Sequence, residues 1–194
     1  IEKGNRLIYV TDMGQTLHFQ MLFKAAEKAD YLNTAIAQCD HVAFGLVLGP
    51  DGKKFKTRSG DTERLIDLLN AAVEKAKTIL KEKDSSLDQN TLEQKAHILG
   101  INAVKYADLS CNRTHDYVFS YDRMLQFEGN TATFLMYAYV RILGIQRKVN
   151  LPIESLLKEG AVTLEHPSEI QLALHLNRFG EIIDAITKNL FPHL

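Results

Sequence analysis

Only two cysteines occur in the 194 residues, Cys39 and Cys111, and no Cys-x-x-Cys spacing is present. That excludes a disulfide framework, names no metal site, and fits reduced core positions in a cytoplasmic protein. An excess of one charge is missing too. Lys and Arg number 23 against 24 Asp and Glu, so a net charge of −1 provides no global basic field for nucleic acid. Any such contact must come from a local patch. No apolar run approaches the roughly 20 residues of a membrane span, and the N-terminus has no signal-peptide layout. Internal repeats and low-complexity tracts are also absent. What is present is the composition of an ordinary globular protein, 45% apolar and 24% charged, long enough for one domain or parts of two. Ile1 is no natural start, so the chain is expected to be cut from something longer.

The order of elements is legible from periodicity. Arg6 to Thr11 is β-branched and aromatic and reads as a buried strand; Asp12-Met13-Gly14-Gln15 is a turn. Thr16 is expected to cap a helix to about Lys28, with Leu17, Met21, Leu22 and Ala25 as its apolar stripe. His41 to Leu48 reads as a second strand, closed by the turn Gly49-Pro50-Asp51-Gly52. Strand–helix–strand implies a parallel α/β unit, whose ligands gather beyond the carboxyl ends of the strands. From Thr62 onward the pattern is helical. One helix carries Leu65, Ile66, Leu69, Val73, Ala76 and Leu80; a second runs from Thr91 to Leu109. Asn112 to Phe119 is irregular, and Tyr121 to Phe127 reads as a short helix. Gly129-Asn130-Thr131 opens a long helix to about Val149, and Pro167 starts a last one through Leu190. The expected fold is α/β and predominantly helical, with a domain boundary that divides 1–127 from 128–194.

Lys53-Lys54-Phe55-Lys56-Thr57-Arg58-Ser59-Gly60-Asp61-Thr62 is the most telling segment, with four cations and three hydroxyls directly after the second strand. Such a loop suits a polyphosphate whose charge grows during reaction. On cation count alone it is equally a solvated turn. A phosphate-loop NTPase fails on direct inspection: the motif anchored on Gly52-Lys53 needs glycine at Val47 and a hydroxyl at Lys54.

Several strings then agree in order. Val42-Ala43-Phe44-Gly45, Lys54 to Gly60, and Ala103-Val104-Lys105-Tyr106-Ala107-Asp108-Leu109-Ser110 resemble arginyl-tRNA synthetases. Asn112-Arg113, Asp116-Tyr117, Phe119 and Phe127-Glu128-Gly129-Asn130-Thr131-Ala132 continue the likeness, which covers Leu7 to about Leu194. The resemblance implies a class I aminoacyl-tRNA synthetase: the C-terminal half of a Rossmann-type catalytic domain, then the start of an all-α anticodon-binding bundle. It implies arginine, tRNA and ATP as partners, ATP arriving with Mg²⁺ as a substrate complex. No tightly bound cofactor, resident metal, membrane or DNA is expected. The cationic loop sits where the class carries its KMSKS signature, so Lys56, Arg58 and Ser59 would be catalytic, with Lys54 and Thr57 on the ATP. Arg58 replaces the second Lys of that signature, as is common in the arginine family. The other signature, HIGH, is absent, and neither His18 nor His41 stands in such a string. Alone, the chain is expected to be inactive.

By the same resemblance Gln15 would hydrogen-bond arginine, a neutral amide avoiding the cost of another buried charge. Its plainer reading is a polar turn residue. His18 would line the adenosine site or else be a capped, core-edge histidine. Phe44 and Gly45 would meet adenine through their backbone, Phe44 being equally explained by strand packing. Phe134, Tyr137 and Arg141 share a helical face; as an aromatic stripe it reads as core, but the cation suits a phosphate or stacked base. Tyr137 and Arg141 are the tRNA candidates, with Asn112, Arg113 and Lys105 behind them. The competing expectation is a non-catalytic helical RNA-binding or scaffold module that kept synthetase sequence.

Overall fold

The computed structural model describes residues 4–49, 51–53, 64–149, 158, 160 and 162–194. These form two compact units, one from the chain up to Arg64 plus Asp108–Ser120, the other from Leu65–Ala107 and Tyr121–Pro192.

The first unit holds β1 (Arg6–Asp12), a single 3₁₀ turn (Met13–Gln15), α1 (Thr16–Lys28) and β2 (Gln38–Phe44). β1 and β2 pair in parallel from Arg6↔Gln38 to Asp12↔Phe44, as the strand–helix–strand order requires. An ion pair of 2.6 Å between Arg6 Nε and Asp40 Oδ2 ties the two strands near their amino ends. α1 is held by rings. Phe19, buried, stacks on His41 at 4.8 Å and lies 5.2 Å from Tyr9, which also meets Phe23 at 5.4 Å. Such aromatic pairs add to the gain from burial itself. His41 also shares a hydrogen bond of 2.8 Å with Thr11 Oγ1. Thr16 is not the cap it was expected to be. The preceding Asp12 accepts from the Gly14 amide and caps the 3₁₀ turn, while the Thr16 hydroxyl donates to the Met13 carbonyl. No side chain caps α1 itself.

The expected strand from His41 to Leu48 is two strands. β2 stops at Phe44, and the chain then changes partner: Gly45 N donates to Arg113 O at 2.7 Å and Leu46 N to Asp116 Oδ1 at 2.6 Å. β3 (Val47–Leu48) pairs in parallel with β4 (Tyr117–Val118) in a separate two-stranded sheet. β4 lies inside the segment expected to be irregular, where two residues are too few to show a period. Gly45 makes this change possible. A Cβ there would sit 2.5 Å from the His115 carbonyl oxygen and 2.9 Å from the Asp116 nitrogen, inside van der Waals contact with backbone.

The second unit is helical: α2 (Leu65–Lys83), α3 (Gln89–Leu109), α4 (Tyr121–Met124), α5 (Ala132–Val149), α6 (Pro167–Asn177) and α7 (Phe179–Asn189). α2 and α3 approach closely at Gly100, which lies against Ala72 and Val73. Leu68, Ala72 and Ala76 of α2 and Leu92, Ala96, Gly100 and Ala103 of α3 are buried, whereas Leu65 and Ile66 are 65% and 53% exposed. Of the apolar stripe read from the sequence, Ala76 is buried, Leu69, Val73 and Leu80 are half-buried, and only Leu65 and Ile66 are exposed. Helix α5 starts as its sequence signals, with Thr131 Oγ1 accepting from Phe134 N. The single last helix expected through Leu190 is broken at Arg178, whose amide turns back to His175. No helix among the described residues is long and apolar enough to cross a membrane.

Gly100→Ala should cost stability, because its Cβ would lie 2.7 Å from the Val73 Cα and N. Overpacking of this kind costs about 1–3 kcal/mol, partly offset by about 1 kcal/mol of helix propensity. A lowered urea midpoint checks it. For Gly45→Ala the readout is hydrogen exchange: the Leu46 and Tyr117 amides should exchange at least roughly tenfold faster, local opening becoming easier. Unchanged protection at both would mean that the strand change does not depend on the missing Cβ.

Candidate functional site

In the first unit the parallel register puts Asp12 beside Phe44, so the Asp12–Gln15 turn and the Phe44–Gly45 step stand together at the carboxyl end of the pair. The turn is organised by one carboxylate. Asp12 Oδ1 accepts from Gly14 N at 2.9 Å and Oδ2 from Gln15 Nε2 at 2.7 Å. Gln15 is exposed, and with its amide nitrogen on Asp12 its carbonyl oxygen is the side left to accept. His18 lies one helical turn on, exposed and edge-on to Phe19 at 5.5 Å. The sequence reading singled out His18, but the histidine built into the fold is His41.

The opposite side of this end is clamped by residues 112–117. Arg113 Nη1 donates to Ala43 O at 2.6 Å while Arg113 O accepts from Gly45 N at 2.7 Å, so one residue holds the strand end by side chain and backbone. Burial draws the Arg113 pKa down from its ordinary value. Asn112 Oδ1 accepts from Thr114 N at 3.1 Å and from its hydroxyl at 2.9 Å, closing the turn that presents Arg113. Tyr117 follows, its pKa raised by burial first and then by the neighbouring Asp108 carboxylate, to which it hydrogen-bonds. Asn112 and Arg113, expected to position tRNA, thus both bond within this unit. Phe44 remains 43% exposed beside Gly45.

Tyr137 and Arg141 belong to the helical unit, on α5. Their face is not core: Phe134 is 41% and Tyr137 49% exposed, and Arg141 Nη1 reaches Tyr137 Oη at 3.4 Å. Lys105 is exposed on α3. Lys54, Lys56, Thr57, Arg58 and Ser59 lie outside the described residues; the turn before them is closed by Gly49 N donating to Lys53 O at 2.7 Å. No cluster of acidic, histidine or cysteine side chains among the described residues could hold a metal ion. Two contributors escaped the sequence reading, Asp12 and Asp116. Asp12 had a signal, since Asp two residues before Gly after a strand is an Asx-type cap. Asp116 stands in one of the strings that carry the resemblance, but nothing local signals its bond to Leu46, 70 residues away.

The family matches divide the chain differently from the two compact units, α2 and α3 falling inside the catalytic-domain match. The family described as tRNA synthetases class I (R), catalytic domain, matches residues 1–121, and the DALR anticodon binding domain matches 135–194. An arginine–tRNA ligase of Protochlamydia amoebophila is 58% identical over 192 residues, covering 99% of this chain and 33% of the relative. One from Chlamydia felis is 53% identical, with 99% and 34% covered. The crystal structure of arginyl-tRNA synthetase from Plasmodium falciparum superposes with a TM-score of 0.81 at 34% identity, covering 98% of this chain and 32% of that one. The chain thus spans about a third of the length of the relatives it matches. With the catalytic-domain family matching well over half of its residues, the chain belongs to the arginine family of class I tRNA synthetases.

Proposed function

We propose that this chain is the part of an arginine–tRNA ligase that completes the catalytic domain and begins the anticodon-binding domain, with the boundary at 127/128. The observation that carries the reading is the carboxyl end of the β1–β2 pair. There an outward amide carbonyl at Gln15 and a backbone step at Gly45 share one edge of a parallel sheet, the place where such folds take their ligands. Ile8 and Val10 of β1 are 47% and 62% exposed, which supports a pair that joins further strands in the whole enzyme.

The residues divide by ligand. Gln15 accepts from arginine; His18, Phe44 and Gly45 border the adenosine of ATP, which binds as its Mg²⁺ complex. A carboxylate oxygen of arginine attacks the α-phosphorus and pyrophosphate leaves. Lys54, Lys56, Thr57, Arg58 and Ser59 hold the phosphates, and the charge developing on the leaving pyrophosphate is met by Lys56 and Arg58. Catalysis is electrostatic and positional, with no covalent protein intermediate. Tyr137 and Arg141 meet tRNA through the exposed face of α5. Asn112 and Arg113 are weaker tRNA candidates, Arg113 also donating to the Ala43 carbonyl and Asn112 accepting from the Thr114 amide. Cys39 and Cys111 are both unpaired thiols, which supports a reducing, cytoplasmic setting.

The test uses the full-length synthetase that carries this chain. Lys56→Ala and Arg58→Ala should each slow activation roughly ten- to a hundredfold with little change in arginine affinity, one charge-assisted contact being worth about 1.5–3 kcal/mol. Parental rates in both would make the loop a solvated turn. Gln15→Ala should raise the arginine requirement and spare tRNA binding. Arg141→Ala should weaken tRNA binding and flatten its salt dependence while sparing arginine. An unchanged tRNA curve and salt slope would remove Arg141 from the interface.

A further inference from the structure

We infer that Asp12 is a positioning residue for arginine selection: its carboxylate fixes which end of the Gln15 amide faces the ligand. The inference deepens the assignment of Gln15 to arginine and rests on it. A carboxylate accepts hydrogen bonds and cannot donate them, so the group it holds must be the amide NH₂. Gln15 Nε2 lies 2.7 Å from Asp12 Oδ2, and the other oxygen is engaged by Gly14 N at 2.9 Å, so the carboxylate is itself held by the turn that it caps. The amide therefore turns its carbonyl oxygen outward. An outward acceptor suits a ligand made of donors, such as an ammonium or guanidinium group, and repels a ligand carboxylate. Without Asp12 the same glutamine would sample both orientations, one of which offers N–H to a cation. Gly14 adds to the fixity: a Cβ at that position would lie 2.8 Å from Asp12 Oδ1, so the close approach of turn to carboxylate needs the glycine.

Asp12→Asn separates the roles. Asparagine still caps a turn through its side-chain oxygen, but its other end is an NH₂, which bonds the Gln15 carbonyl and turns the Gln15 NH₂ outward. The experiment is a double-mutant cycle in the full-length synthetase, read as KM for arginine and kcat in ATP–pyrophosphate exchange with tRNA present. Melting temperature is followed alongside. We expect Gln15→Ala and Asp12→Asn each to raise the arginine KM roughly tenfold with kcat within about twofold, one hydrogen bond to a charged group being at stake. In the Gln15→Ala background, Asp12→Asn should raise KM no further, since Asp12 acts only through that amide. Asp12→Ser keeps an oxygen for Gly14 but is too short to hold Gln15, so it should also raise KM; this keeps the test open if Asp12→Asn unfolds. A Gln15→Ala effect with an additive or silent Asp12→Asn overturns the role of Asp12 alone. A silent Gln15→Ala overturns the assignment of Gln15 itself and this inference with it. An Asp12→Asn effect confined to melting temperature makes Asp12 a cap and nothing more.

Discussion

Backbone meeting backbone at Gly45 is the contact on which the first unit depends. Strand β2 can end at Phe44 and pass its pairing to residues 113–119 only because nothing projects from Gly45 toward the His115 carbonyl. Once that approach is allowed, the other bonds follow from proximity: Arg113 to the Ala43 carbonyl, Asp116 to the Leu46 amide, and the β3–β4 pair. Together they supply partners to the backbone where the ladder with β1 ends. They also bring Asp108–Ser120 back onto the strands, which is why this unit is built from two separate stretches of chain.

Beside this contact Phe44 stays exposed, on the edge that the proposed reading assigns to ligands. β1 contributes a turn in which Asp12 accepts from the Gln15 amide, while β2 contributes a backbone step held by Arg113. One side is thus set by a side-chain carboxylate and the other by backbone hydrogen bonds. Neither uses a strongly charged group facing outward. In the proposed reading that suits a ligand bringing its own charges, arginine's cation and ATP's phosphates, with the loop cations as counterweight. The helical unit works by a different rule. Gly100 of α3 lets its backbone approach Ala72 and Val73 of α2, and the buried residues of the two helices combine alanines with Leu68 and Leu92.

Much of this could be read from the sequence where local chemistry decides. The extents of β1 and α1 and the parallel pairing follow from period and order, and Thr131 announces the start of α5. But β1 is largely exposed rather than buried, and α1 packs through Phe19 rather than through Leu17, Met21 and Leu22. The resemblance to arginyl-tRNA synthetases was visible in strings such as Phe127-Glu128-Gly129-Asn130-Thr131, and family matches over 1–121 and 135–194 bear it out. What escaped was non-local or small. The division of β2 from β3 depends on a partner some 70 residues on, and β4 is two residues long. The α2 stripe included the buried Ala76 but missed Leu68 and Ala72, and placed Leu65 and Ile66 on a face that is exposed. The bond from Arg113 to a carbonyl 70 residues earlier has no local signal either.

The central claim is that the Asp12–Gln15 turn and the Phe44–Gly45 step form the aminoacyl and nucleotide edge. A structure of the full-length synthetase with a non-hydrolysable arginyl-adenylate analogue tests it most directly. The account predicts the Gln15 carbonyl oxygen within hydrogen-bond distance of a nitrogen of the arginyl group, its NH₂ still on Asp12, and the adenine against the backbone of Phe44 and Gly45. An analogue bound with both of these segments untouched would contradict it.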